Sequence, residues 1–555
     1  MTPRNFVKLG PEALVRFSLL LMLVLVPFSL LLPFPSLFVA PGFSNLVLLL
    51  YLPSVFIFVV VCLLCLVVLL TGDKASIFVA IVMFSILYFL TWELKIPGGI
   101  LGTWDNALPD NLRILQNGGF NGLEQTAFGP VIFTLIASLT NVFGFTSGLL
   151  IFSIVRPVVI GGFSYMVAMR LSDSPRVAGL ATVLSIVADP FFISPGDSIY
   201  ASLPNGIMFF LIATYIMLRA QDIGTKRNQI ALVVTVIATT LEYPLASVLL
   251  VAEALILHLR TGTHERYDIT LPVTFSSIFV GWNVLSGGAA QLIQLWASTL
   301  IRGGTSTSVN YHSSELFTHL LSFFGNQPPF LLPFSVMWLS VVFAVGPVVW
   351  LWDMFARRGL AAMLCLPMFA VAVPLVVTQG GFAEYRVFFY LGLFLSLGLL
   401  TKIRKKKKLF LVVALALMLT TLPTLASTLP QVGFNTSQYS TNYATGNFLG
   451  YSPKTAALLT YSGVMSITSA VPASELYAGN LHYSNGTQYV DLVKLFTPGI
   501  CGPTTCKFVP ISSLYFLSVS YQFGPQAAGQ LRQVLDSRLS HTSLIYCNDV
   551  TQLYW

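Results

Sequence analysis

The chain has 555 residues, 55% hydrophobic and only 9% charged, with a mean hydropathy of +0.80. Soluble domains carry roughly 25% charged residues, so this composition excludes a soluble globular protein and requires a polytopic membrane protein. The net charge of +8 does not point to nucleic acid, because the basic residues sit in short loops between apolar runs, where they act as orientation signals.

A membrane-spanning helix needs about 20 apolar residues. The sequence predicts spans near 14–35, 45–71, 76–93, 147–169, 177–195, 203–219, 228–242, 244–259, 268–287, 331–352, 359–378, 386–401 and 409–427, about thirteen in all. Pro27, Pro33 and Pro35 are expected to kink or shorten the first. The seventh and eighth, 228–242 and 244–259, share one apolar run broken at "TTLEYPL", so twelve spans is the alternative. The loop "KIRKKKK", 402–408, belongs in the cytoplasm, and counting outward from it places the N-terminus inside and residues 428–555 outside. This requires that 129–143, "GPVIFTLIASLTNVFG" with its flanking glycine, lies at the interface or re-enters rather than crosses; it is too short to span.

With this orientation Glu93, Asp105, Asp110, Glu124, Asp189, Asp197, Glu242, Glu315 and Glu384 all fall on the external side. External loops tolerate acids, which accounts for any one of them; acids at membrane depth, such as Glu242, are costly and tend to mark sites. Two long external loops, 94–128 and 288–330, and the short turn "QGGFAEYR" are large or polar enough to build an outward cavity. There the carboxylates suit either a divalent cation, Mg or Mn, or a general base, and Arg113, Arg302 and Arg386 suit phosphate. Asp110 in "PDNLRIL" also reads as a helix cap, with Arg113 as its local partner. His312 and His319 lie seven apart without a third ligand, which does not make a zinc site.

The stretches "LGTWDNALPDNLRILQNGGFNG", the interfacial segment with its glycine and arginine-bearing next span, "SIVADPFFISPGDSIYASLPNGIMFF" and "GFAEYRVFFYLGL" resemble the GT-C superfamily of membrane glycosyltransferases. That superfamily includes protein O-mannosyltransferases, oligosaccharyltransferase catalytic subunits and aminoarabinose transferases. The resemblance implies a GT-C-like helical domain over 1–427. It also implies transfer of a sugar from a polyprenyl-phosphate carrier to an external protein, lipid or glycan. Asp105 would be the catalytic acid of the first external loop, and Asp110 and Asp197 supporting or metal-binding acids. Arg386, with Arg302 or His312, would hold the carrier phosphate, and Glu242 and Glu384 are further candidates. Three spans precede the acidic loop here where the family has one, and the tail lacks "WWDYG", which argues against an oligosaccharyltransferase. The alternatives are a transporter or flippase, against which no internal repeat is visible, and a non-catalytic scaffold subunit.

After 427 the composition shifts to Ser, Thr, Asn, Tyr and Gly, and residues 428–555 are expected to form a small extracytoplasmic α/β domain. Strands are expected at "VMSITSAVP", "YVDLVKL", "LYFLSVSY" and "TSLIYCNDVTQLYW", and helices at "PKTAALLTYSG" and "QAAGQLRQVLDSRL". Asn435 and Asn485 head glycosylation sequons. One disulfide is permitted among Cys501, Cys506 and Cys547, with Cys501–Cys506 the shortest closure and the pairing open. Cys62, Cys65 and Cys365 fall inside spans and read as packing residues.

Overall fold

A computed structural model describes residues 10–32, 53–95, 130–188, 202–220, 226–261, 269–285, 337–357, 359–370 and 385–428, with shorter segments between 455 and 554. The described part up to 428 is helical: α1 (Pro11–Leu31), α2 (Pro53–Thr71), α3 (Lys74–Lys95), α4 (Pro130–Phe143), α5 (Phe145–Ser172), α6 (Pro175–Val187) and α7 (Ser202–Ala220). These are followed by α8 (Lys226–Glu242), α9 (Pro244–Thr261), α10 (Thr270–Leu285), α11 (Gly346–Arg357), α12 (Leu360–Leu364), α13 (Tyr385–Ile403) and α14 (Lys407–Thr428). A helix thus falls within each stretch expected to span, though not over its whole length. Among the described residues, Pro11–Leu31, Lys74–Thr91, Leu150–Ser172 and Met337–Ala356 are by themselves long and apolar enough to cross a bilayer.

The helices are built inside out relative to a soluble protein. On α1 the buried face holds Val15, Ser18, Met22, Val26 and Ser29, whereas Phe17, Leu20, Val24, Phe28 and Leu31 are exposed, Leu31 to 83%. Two hydroxyls point in and the large apolar side chains point out, the arrangement a hydrocarbon solvent favours. The helix ends at Leu31, before Pro33, as expected from its prolines.

α6 stands at the centre and is buried almost all round, from Val177 to Val187. It packs against α2, α3, α5, α13 and α14. Close approach depends on small residues. A methyl group on Gly161 of α5 would overlap the Ser85 hydroxyl of α3, and one on Gly179 of α6 would lie 2.6 Å from Leu69 Cδ2. In a membrane, where the hydrophobic effect does not drive helices together, such backbone proximity supplies the dispersion contacts that do. Cys62, Cys65 and Cys365 are buried free thiols; Cys65 Sγ contacts the Ala80 carbonyl at 3.8 Å, a packing role as expected.

α11 is preceded by a π-helical turn, Val341–Val345, and its Gly346 seats the helix on Leu395 of α13. Lys402 Nζ of α13 lies 2.7 Å from Asp353 Oδ1 of α11, which ties those two helix ends to one face of the bundle.

In the C-terminal part, β1 (Thr455–Leu459), β2 (Leu476–Gly479), β5 (Lys507–Ser512), β6 (Leu544–Cys547) and β7 (Thr551–Tyr554) form a mixed sheet in the order β2-β1-β5-β7-β6. β3 (Leu481–Ser484) and β4 (Thr487–Val490) form a separate antiparallel hairpin. β1 corrects the sequence reading: "TAALL" was expected within a helix, and its alanines and leucines do favour one. It is paired on both sides by parallel strands, and that tertiary pairing outweighs the modest local preference. The expected last strand is instead two antiparallel strands, β6 and β7.

Candidate functional site

The site grows from the break in the long apolar run. Pro244 has no amide hydrogen, so α8 stops at Glu242 and α9 starts anew at Pro244, with one residue between them. Tyr243 bridges them, donating its amide to Thr239 O at 2.8 Å, while the Thr240 and Ser247 hydroxyls pair across the break at 2.7 Å. The tyrosine packs on Gly206 of α7, where an added Cβ would meet Tyr243 Cβ at 2.6 Å.

Glu242 is fully buried. Its Oε2 accepts the backbone N–H of Ile132 at 3.2 Å, in the first turn of α4, and the Asn205 side chain is a further hydrogen-bond partner. A helix's first amides have no partner within the helix, and the positive end of its dipole favours an acid, so Glu242 caps α4 from another part of the chain. α4 turns Ile132 and Ile136 into the bundle and exposes Leu135, Val142 and Phe143. Its 14 residues measure about 21 Å, less than the roughly 30 Å hydrocarbon core. It then meets α5 at Gly144, whose φ of 83° lies in the left-handed region that glycine adopts without strain.

Eleven residues after Glu242 in the sequence comes a second buried acid, Glu253 of α9. Its Oε2 accepts the Thr214 hydroxyl of α7 at 2.8 Å, and Cys365 lies beside it. The two acids fix the path of the chain. Glu242 and Tyr243 meet α7 at Asn205 and Gly206, whereas Glu253 meets it at Thr214, about 12 Å further along α7. α9 therefore runs back beside α7 and does not continue α8, so 228–242 and 244–259 are two separate helical passes. Sequence reasoning singled out Glu242 but missed Glu253. The signal was present, an acid alone in "LASVLLVAEALIL".

The sequence before α4 is the loop with Asp105 and Asp110, and the sequence before α7 is the loop with Asp197. Glu242 is thus the point where the helices following both loops meet. Asp105, Asp110, Asp197, Arg302, His312, Glu384, Cys501, Cys506, Asn435 and Asn485 lie outside the described residues; Arg386 is the second residue of α13, and its side chain lies outside them as well. Among the described residues, no three His, Cys, Asp or Glu side chains come together as a metal site. Arg156, 3% exposed, is the buried cation of α5, next to Pro157.

Apolar helices with lipid-facing side chains, small-residue crossings and buried acids within the bundle define an integral membrane protein. No family model matches the sequence, and no curated protein matches it. Its fold is similar to those of two solved structures. ArnT from Cupriavidus metallidurans, solved with bound undecaprenyl phosphate, is similar over 86% of this chain and 97% of that one, with a TM-score of 0.50 and 12% identity. An oligosaccharyltransferase from Archaeoglobus fulgidus, solved with Zn and sulfate, is similar over 85% of this chain and 72% of that one, with a TM-score of 0.46 and 12% identity.

Proposed function

We propose that this protein transfers a sugar from a polyprenyl-phosphate carrier to an acceptor on the extracytoplasmic face. The observation that carries the reading is the likeness of fold, over 86% of this chain and 97% of the other, to a structure that holds undecaprenyl phosphate. The meeting of α4 and α7 at Glu242 supports it further, since the acid-bearing loops 94–128 and 189–201 lead directly into those two helices.

In this reading the chain crosses the membrane about thirteen times, with its N-terminus inside and 428–555 outside, and α4 lies at the outer interface. Asp105 acts as general base on the acceptor hydroxyl, which attacks the sugar's anomeric carbon; the carbon–phosphate-oxygen bond breaks and the polyprenyl phosphate departs with the electron pair. Asp110 and Asp197 orient the acceptor, and Arg386 with Arg302 or His312 holds the departing phosphate. Phosphate leaves readily, so positioning and charge neutralisation are the protein's main tasks. Glu242 takes no part in the chemistry; it fixes the helices from which the loops spring.

The test is sugar transfer by the purified protein from a panel of radiolabelled polyprenyl-phosphate sugars, beside Asp105→Asn. Transfer by the wild type that a folded mutant loses supports the mechanism as written. Transfer unaffected by the mutation removes Asp105 from the site. No transfer with any donor favours the transporter or scaffold reading.

A further inference from the structure

The turn between α13 and α14 gathers an unusual charge density. Arg404, Lys405, Lys406, Lys407 and Lys408 follow one another and all are exposed. The turn is tight: Arg404 N donates to Leu400 O at 2.9 Å, Lys406 N to Ile403 O at 2.8 Å, and Phe410 N to Lys406 O at 2.9 Å. Near its base Asp353 is engaged by Lys402, which also lies 5.9 Å from the centre of the Trp352 ring. Lys402 is thereby neutralised, and the five cations beyond it have no ion-pair partner among the described residues.

Directly after the turn the surface becomes apolar. Leu409, Leu411, Val412 and Leu415 are exposed, and on α11 Trp352 and Phe355 are exposed on the same side of the bundle as Lys402. Exposed leucines and valines on a membrane helix face acyl chains, so the charges one turn above them stand at headgroup level. Topogenesis alone requires basic residues here, but not five unpaired cations in succession held on a fixed turn. We propose that the Arg404–Lys408 turn binds the phosphate groups of anionic membrane phospholipids and keeps them beside the α13–α14 pair. The inference does not depend on the glycosyltransferase reading or on which face the turn occupies.

The test uses the full chain reconstituted in phosphatidylcholine vesicles with trace spin-labelled phosphatidylglycerol or spin-labelled phosphatidylcholine as probe. The expected result is a larger motionally restricted fraction for the anionic probe, which approaches that of the neutral probe at about 1 M salt, where the screening length is about 3 Å. Changing Lys405 to Lys408 to Gln lowers the preference by up to about fivefold per charge removed, whereas changing them to Arg retains it. The Arg series controls for any effect of the substitutions on insertion. Equal restriction of both probes by the wild type, or an unchanged preference in a folded Gln variant, overturns the proposal. Binding of inorganic phosphate by the wild type without any preference for the anionic probe also overturns it, since the turn would then be a site for free phosphate. So would displacement by an acidic peptide with no lipid preference.

Discussion

Glu242, the last residue of α8, accepts the amide of Ile132, 110 residues earlier in the chain, through its Oε2 at 3.2 Å. Both groups are buried, so one carboxylate joins the α8–α9 apex to the start of α4. Removing it strands a buried amide. Glu242→Ala is expected to cost about 1–3 kcal/mol, and Glu242→Gln less, because its amide oxygen still accepts from Ile132. Thermal unfolding in detergent checks this; equal melting of the Ala variant and the wild type would sink it.

Glu253 depends on a hydroxyl from a neighbouring helix. Thr214→Val preserves shape and removes the donor, leaving a buried carboxyl group without its partner, at a cost of about 1–3 kcal/mol. Thr214→Ser restores the donor and should recover most of the loss. If Val and Ser variants unfold alike, the hydroxyl contributes nothing.

Gly206 is where the hairpin apex touches α7. Gly206→Ala places a methyl group 2.6 Å from Tyr243 Cβ, which forces the helices apart at about 1–3 kcal/mol. The change should also loosen the Asn205–Glu242 contact next to it. In a double-mutant cycle Gly206→Ala and Tyr243→Gly, which removes the Cβ that the added methyl would meet, are expected to be non-additive, with the double variant less impaired than the sum.

Asp73 lies in the loop before α3, where its Oδ1 accepts the Ser76 amide at 3.0 Å. Bonds from the Ser76 side chain and backbone hold its carboxyl below the ordinary value of 3.8. A depressed folded-state value means the stabilisation is complete above about pH 4–5 and is lost as pH falls through the lowered value. Melting temperatures of the wild type and Asp73→Ala should therefore differ at neutral pH and converge in acid. A gap that is constant with pH would show that the ionised carboxylate is not what stabilises α3.

Composition alone established a membrane protein, because 9% charge and long apolar runs leave no soluble alternative. The helix positions were legible for the same reason. Leu31 ends α1 just before Pro33, and Pro244 starts α9, since proline's effects on a helix are local and act in any context. The loop motifs resemble those of GT-C enzymes, and the fold is similar to that of ArnT from Cupriavidus metallidurans, with the motif acids outside the described residues.

What the sequence by itself could not determine was which distant groups meet. Glu242 and Ile132 pair only because α4 lies against α8, and although Glu253 stands out as an acid in an apolar run, nothing local names Thr214 as its partner. That α9 turns back beside α7 follows from Thr214 and Gly206, not from the "TTLEYPL" break, which fits a kink equally well. The strand Thr455–Leu459 is the plainest case: its local preference is helical, and pairing with β2 and β5 decides otherwise. Local chemistry sets where the chain can turn and what it can bury; contacts between segments far apart in sequence are fixed only once all the helices pack.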